Sequence, residues 1–417
     1  MRAVVPPVAA ELSVHVVAES PQPSSVRADA VRVAVLIAVA HGLTDAYASF
    51  VPPLLPRIME RLGLSITLAA SLAVAFGIAG SLPQPFFGYL ADRFGRRVFA
   101  VSGMLAAGVF VGSIGFAPTF GALILLLTLG GFGNAAFHPP GASYAVRVTE
   151  GRGGGRRYSL FAFGGAAGFA VGPLASVGIV RSLGMESLWV AMLPALVIAP
   201  LIARGLPGGR REDGSGPAPS PAFVLRQLRG PLGVMFGISA TMTFIQRTFL
   251  TMEPFIVAEA GGSEARGAVA LSVYLAAQSL GMVTGGLLGD RMNRRTLLVQ
   301  LCAWALPAHV AALWLGPQGV LGLTATAAAG FLGLAALPPM VVMAQELLPS
   351  AAAVSSGIVM GLAWATGTLG VLGTGALADA IGPRAAALAC MPMVLLAVTL
   401  ALHPALARLS TAPGGPH

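Results

Sequence analysis

Charge is scarce in this chain of 417 residues. Only 10% of them are Asp, Glu, Lys or Arg, against about 25% in a soluble globular protein. So few charges cannot clothe a water-facing surface, which sets most soluble enzymes aside. Lysine is missing altogether, and all 25 basic residues are arginine. Cys302 and Cys390 lie in separate apolar stretches without a CxxC spacing or a histidine-rich neighbour, so neither a disulfide framework nor a zinc site can be argued, and no metal is expected. The glycine-rich run at 151–157 lacks the Gly-Lys-Ser/Thr ending of a P-loop, which argues against ATP use. There is no HExxH, no GxSxG and no pair of intramembrane aspartates, so no enzyme and no cofactor are implied.

What the chain has in abundance is apolar surface: 56% of residues are hydrophobic and the mean hydropathy is +0.81. The net charge of +9 then reads as arginine gathered in cytoplasmic loops and not as a nucleic-acid footprint. Stretches free of Asp, Glu and Arg cover 62–91, 98–146, 158–180, 187–203, 230–246, 267–289, 296–345, 347–378 and 385–407. The two longest hold two spans each, turning near Gly115–Pro118 and Gly316–Gly319. With a further span over about 31–56, interrupted by Asp45, the pattern predicts twelve transmembrane helices of ~20 residues. Residues 1–30 read as a disordered cytoplasmic tail, 31–203 as one six-helix bundle, 204–230 as a cytoplasmic linker, 231–404 as a second bundle and 405–417 as a cytoplasmic tail. Fifteen arginines fall in the loops after even-numbered spans and five in the opposite loops, which puts both termini in the cytoplasm.

The two bundles repeat one another. Residues 88–97, GYLADRFGRR, and 286–295, GLLGDRMNRR, agree at six of ten positions. Each copy precedes a long charge-free double span that ends near a proline pair, Pro139-Pro140 or Pro338-Pro339. The fold class is therefore an all-α polytopic membrane protein of two six-helix halves, an organisation typical of secondary transporters. The first decapeptide resembles the signature between helices 2 and 3 of the major facilitator superfamily, and the likeness extends over the chain beyond residue 30. A narrower resemblance, to the fosmidomycin resistance protein family of drug exporters, rests on His41-Gly42-Leu43-Thr44-Asp45 followed by Pro52-Pro53-Leu54-Leu55-Pro56, on Gln84-Pro85-Phe86-Phe87-Gly88 and on Phe137-His138-Pro139-Pro140-Gly141. The superfamily likeness implies a gating role for the loop motif, with Gly88, Asp92, Arg93, Arg96 and Arg97 in the first copy and Asp290 and Arg291 as a weaker echo. Asp92 would face the start of helix 11 near 351–353 and latch the cytoplasmic side, where the plainer reading is positive-inside anchoring.

Polar residues at membrane depth carry the functional expectation. A central Asp costs about 2.5–3.5 kcal/mol on insertion scales, so Asp45 calls for a reason. His41 lies four residues earlier on the same helix face, and the two form either a proton-coupling pair or a static pair that fixes packing. His138, just before a proline break that bends the helix, lines the cavity or is a satisfied core residue. Arg247, with Gln246 beside it, is the basic residue that interrupts helix 7; it suits a phosphonate or carboxylate substrate, or pairs with Glu253. The superfamily likeness would bring Asp45, His138 and Arg247 to one cavity. Gly168, Gly172 and Pro173 in helix 5 indicate close helix packing and resemble a Gly-x-x-x-Gly-Pro exporter signature, although Ala175 and Ser176 follow where glycines are usual.

The resulting expectation is a monomeric, proton-coupled exporter of a small amphipathic or anionic compound, such as a fosmidomycin-like antibiotic, in a bacterial inner membrane. A proton-coupled uptake symporter or metabolite carrier of the same superfamily is the alternative. Its partners are a small molecule, protons and the lipid bilayer.

Overall fold

The computed structural model describes residues 24–147, 154–208 and 221–409, which are helical between short turns, with no strand among them. Twelve long helical segments follow in order. The first half holds α1 (Ser24–Ala48), α2 (Ile66–Ser81 and Gln84–Phe94), α3 (Arg96–Gly112), α4 (Phe120–Arg147), α5 (Gly154–Leu183) and α6 (Met192–Gly205). The second holds α7 (Pro231–Glu259), α8 (Glu264–Gly289), α9 (Arg294–Leu315), α10 (Gly319–Ala335 and Leu337–Leu347), α11 (Val354–Ile381) and α12 (Pro383–Ala401). Ten of these are long and apolar enough to cross a membrane, or eleven once the two pieces of α2, bent by 42°, count as one span. The twelfth is α7, whose hydropathy is lowered by Gln246, Arg247, Glu253 and a series of Ser and Thr residues that it buries.

Local sequence explains the helix ends. Ser65 and Asn293 accept hydrogen bonds from the backbone N–H groups of Leu68 (3.2 Å) and Thr296 (3.1 Å), satisfying first-turn donors that have no intrahelical partner. Pro83 and Pro85 sit where α2 bends. Several boundaries differ from those read in the sequence. Helix α1 begins at Ser24, inside the stretch expected to be a tail, while 1–23 lie outside the described residues. Helix α7 runs through Arg247 to Glu259 because its polar side chains turn inward instead of ending it. Part of the expected linker, Pro221–Gln227, is helical, and 209–220 and 410–417 lie outside the described residues. The expected break at Pro139-Pro140 does not interrupt α4, which continues to Arg147. The equivalent pair, Pro338-Pro339, does start a new helix after a break at Ala336.

Packing is carried by glycine. On α5, Gly164, Gly168 and Gly172 each lie where a Cβ would strike a backbone carbonyl of α1, belonging to Ala38, Gly42 and Ala46 in turn. Both series advance by four residues, so one helix face is a row of missing side chains laid on a row of carbonyls. In the second half Gly367 of α11 sits against Ala240 of α7, and Gly281 and Gly285 of α8 sit against Phe331 and Ala335 of α10. The repeat is structural as well as sequential. A Cβ on Gly88 would lie 3.3 Å from Pro139 Cβ, and one on Gly286 would lie 3.6 Å from Pro338 Cβ. Each loop-motif glycine thus rests on the proline pair of its own half.

The halves meet through α2 against α11 and α5 against α8. Two sets of polar contacts cross between the halves at the end of the bundle away from the chain termini. Arg57 makes a two-pronged ion pair with Glu264, at 2.6 and 2.9 Å. Asp379 accepts from the backbone N–H of Ile66 (2.7 Å) and Thr67 (3.1 Å) and from the Thr67 hydroxyl (2.5 Å). At the termini end, Asp92–Arg96, Arg97–Leu206, Arg294–Glu346 and Arg295–Leu402 each stay within one half. The polar ties between the halves seen among the described residues thus lie at the far end.

Because three carbonyls of α1 occupy the glycine row of α5, Gly168→Val is expected to cost at least the ~1–3 kcal/mol of an overpacked core. A clear fall in the unfolding temperature of the purified protein checks this. Gly178→Ala, with nothing within 4 Å of its added Cβ, is the control that should leave the temperature unchanged.

Candidate functional site

Helix α1 places His41 and Asp45 one turn apart on the same face, and α4 brings His138 to the other side of the carboxylate. His41 Nε2 lies 3.2 Å from Asp45 Oδ2, and His138 Nε2 lies 3.2 Å from Asp45 Oδ1. Asp45 is only 4% exposed; the His138 side chain, at 27%, is the most open of the three, against 13% for His41. Each imidazole is held from behind by a carbonyl: His41 Nδ1 is 3.0 Å from Phe161 O, and His138 Nδ1 is 2.9 Å from Asn134 O. The His41 ring also stacks on Phe161, with centroids 4.1 Å apart and planes 15° from parallel.

Room for this arrangement comes from α5. A Cβ on Gly165 would fall 2.7 Å from both Asp45 Oδ2 and His41 Nδ1, so the helix that covers the pair has no side chain there. Asp45 Oδ1 makes no well-aligned hydrogen bond and faces only the imidazole of His138. His41, Asp45 and His138 also form the one group among the described residues whose ligand atoms approach within 4.8 Å of one another. Each carboxylate oxygen is already turned to one imidazole nitrogen, so these atoms are engaged with each other.

The remaining expected residues fall elsewhere. Arg247 lines a small cavity between the halves with Ser49, Pro52, Phe169, Pro173, Leu250 and Leu271. Its Nε is buried without a partner, and none of the described carboxylates lies within ion-pair distance of it. The anticipated pairing with Glu253 is not made: Glu253 is fully buried, and both of its oxygens lack a hydrogen-bond partner. A separation of six residues turns the two side chains to different faces of α7. Gln246 donates to Gln278 instead of facing that cavity. Asp45 and His138 thus meet, while Arg247 makes no ion pair with Asp45. Ser49 links the two places, one turn beyond Asp45 on the chain and in the wall of the Arg247 cavity. Gly172 lies under Ser49 and Ala46, and Pro173 forms part of the same wall.

In the loop motif, Asp92 Oδ1 accepts from Arg96 at 2.6 Å, Arg93 donates to the Tyr89 hydroxyl at 3.2 Å, and Arg97 reaches the carbonyl of Leu206. Among the described contacts, Asp92 therefore engages its own loop. In the second copy Asp290 and Arg291 are exposed, while Arg294 is buried and pairs with Glu346 at 2.5 Å. Two further features escape the sequence pattern. Tyr274 and His309, on α8 and α9, meet at 3.0 Å in the core of the second half. Asp379 is an ordinary exposed acid by sequence and gains meaning only from the helix end it faces.

Two six-helix halves, with a carboxylate and two imidazoles inside one half and a guanidinium without an ion pair between them, make up a polytopic membrane protein. Comparison with known proteins agrees. The sequence profile of the Major Facilitator Superfamily matches residues 37–246, and the chain belongs to that superfamily. It is 26% identical to YfnC, an uncharacterized MFS-type transporter of Bacillus subtilis, over 378 residues covering 86% of this chain and 90% of that protein. It is 27% identical to the fosmidomycin resistance protein of Escherichia coli K12 over 358 residues, 82% and 85% of the two chains. Among solved structures, a bacterial homolog of the human lysosomal transporter Spinster, inward-facing and unoccupied, superposes with a TM-score of 0.74. The likeness has 16% identity and covers 95% of this chain and all of that one.

The contacts of Asp379 set how firmly the far end closes. Asp379→Ala is expected to remove about 1 kcal/mol, the scale of a helix-capping contact, and so to raise the open population roughly fivefold. The readout is the rate at which a small thiol reagent labels Ser49→Cys, a position 5% exposed behind that closure, in a Cys302→Ser, Cys390→Ser background. An unchanged rate would remove Asp379 from the closure.

Proposed function

We propose that this chain is a proton-coupled exporter of a small anionic or amphipathic compound, working by alternating access in a bacterial cytoplasmic membrane. The observation that carries the reading is the buried Asp45 flanked by two imidazoles within spanning helices. Ionisable groups at that depth are costly and mark ion or proton pathways. The arginine-rich loops support placing both termini in the cytoplasm, so the far end that is tied shut would face outside. The termini end would admit cargo from the cytoplasm to a monomeric carrier.

Arg247 supplies the recognition group for the cargo. A permanent cation buried without a carboxylate partner is costly, and an anionic headgroup such as a phosphonate or carboxylate would satisfy it. The apolar wall formed by Phe169, Pro52, Pro173, Leu250 and Leu271 suits a short hydrophobic body. Likeness to the fosmidomycin resistance protein supports this cargo class. Asp45 takes up a proton from outside once cargo has left and gives it up inside as new cargo arrives. In the outward-open form Asp92 leaves Arg96 and meets the N-terminus of α11, where a carboxylate is stabilised by the unpaired N–H groups. Asp290 and Arg291 form the weaker equivalent loop.

The test is the pH gradient in inverted membrane vesicles on adding fosmidomycin and a small set of phosphonates and amphipathic drugs. The native protein is expected to collapse the gradient, and Asp45→Asn to fall to the level of vesicles without it. A response retained in Asp45→Asn would remove Asp45 as the carrier, and no response to any compound would favour a metabolite carrier or uptake symporter. Arg247→Gln should raise the half-maximal concentration of an anionic drug by about 10-fold or more, matching the 1.5–3 kcal/mol of a charged hydrogen bond, and leave a neutral drug unaffected.

A further inference from the structure

We infer that His138 is a second proton-binding group of the site, so that the joined His41–Asp45–His138 trio holds two protons and loss of the one on His138 Nε2 uncouples α4 from α1. The inference deepens the proton-coupled reading and rests on it for its place in transport.

The count follows from the partners of each nitrogen. A carbonyl oxygen only accepts, so the Nδ1 atoms facing Phe161 O and Asn134 O both carry hydrogen. That fixes the tautomer of each ring and leaves each Nε2 as the atom that gains or loses a proton. Both Nε2 atoms face Asp45 oxygens at 3.2 Å. Neither contact is aligned as a hydrogen bond, but at 3.2 Å an unprotonated ring nitrogen beside a carboxylate oxygen is repulsive, and a proton on either atom of each contact turns it attractive. Two imidazolium rings beside a carboxylate meet the requirement, and so does one imidazolium beside a protonated acid that donates to the other ring. Either distribution holds two protons and leaves the trio net positive. With one proton the trio is neutral and only one of the two contacts survives.

The surroundings decide which contact fails first. His41 is on the same helix as Asp45, is stacked on Phe161, and lies beside Phe137 and His138. His138 reaches across from another helix and is the more exposed ring. From α5 the trio is faced by Phe161 and Gly165, and from α4 by Phe137 and the Asn134 carbonyl. No other charged side chain among the described residues lies within ion-pair distance, so the proton count is set by these three groups. The His138 contact is also placed where α4 yields most easily. Pro139 and Pro140 follow it within the helix, so two successive backbone N–H donors are missing.

Nitrogen-15 NMR of histidine-labelled full-length protein in lipid nanodiscs, recorded from pH 9 to pH 5 without cargo, tests this. Both rings are expected to keep hydrogen on Nδ1 throughout, and proton uptake at the site should occur in two distinguishable steps, one of them carried by His138 Nε2. His138→Gln should leave one step in place of two, with His41 still held by Asp45. Rapid exchange between tautomers at His138, or a single step involving His41 alone, would overturn the inference. The vesicle assay is independent. Two steps without cargo-driven proton flux would leave this inference standing and sink the coupling, whereas flux with a single step would do the reverse.

Discussion

Everything at the centre of this molecule depends on how closely α1 and α5 approach. Asp45 is partnered at short range by two imidazoles, and a helix that covered it with side chains would fill the space those partners need. The glycine row of α5 resolves the conflict. Gly164, Gly168 and Gly172 let carbonyls of α1 sit against bare backbone, and Gly165 leaves the volume occupied by His41 and Asp45. The same approach brings the Phe161 carbonyl within 3.0 Å of His41. Packing and site chemistry therefore share one cause, the absence of Cβ atoms along a single helix face.

The two halves use the same scaffold for different ends. In both, the glycine that opens the loop motif rests on the proline pair of the helix two spans later. The first half places its ionisable trio beside that contact. The second half instead encloses Tyr274 and His309 with Phe249 stacked on the tyrosine at 4.6 Å, and it lets its proline pair break α10. Duplication thus supplied two equivalent frames, of which the first carries the titratable cluster and the second carries the unpaired guanidinium at the boundary between them.

How much of this was legible in the sequence varies with the range of the interaction. Helix number, the duplication and the His41–Asp45 pair are encoded by charge spacing and by separations of four residues, and all are visible in the sequence. Glycine packing on α5 was readable for the same reason, although not which carbonyls it meets. His138 was readable as a polar residue at depth, but its contact with Asp45 depends on where α4 crosses α1, which spacing does not encode. Arg247 and Glu253 show the opposite error. They are near neighbours in sequence, yet their helical angle separates them, and so the expected pair does not form. The loop motif was recognisable by its residues, whereas its partner depends on which end of the bundle is tied.

That dependence links the site to the gate. Arg57–Glu264 and Asp379 on α2 are partly solvent-exposed contacts, and such contacts contribute on the order of 1 kcal/mol each. A carrier needs this modesty, since an end held by tens of kcal/mol would never open. A change of comparable size elsewhere can then shift the balance. His138 is followed directly by Pro139, Pro139 carries Gly88, and Gly88 opens the loop that ends in Asp92 and Arg96. If His138 lets go of Asp45, the segment of α4 that supports this loop loses its tie to α1. The loop lies at the termini end of the molecule, where Asp92 pairs with Arg96. Under the proposed cycle, a change of one proton at His138, acting through a helix with two missing donors, would be passed through Pro139 and Gly88 to the loop that holds Asp92.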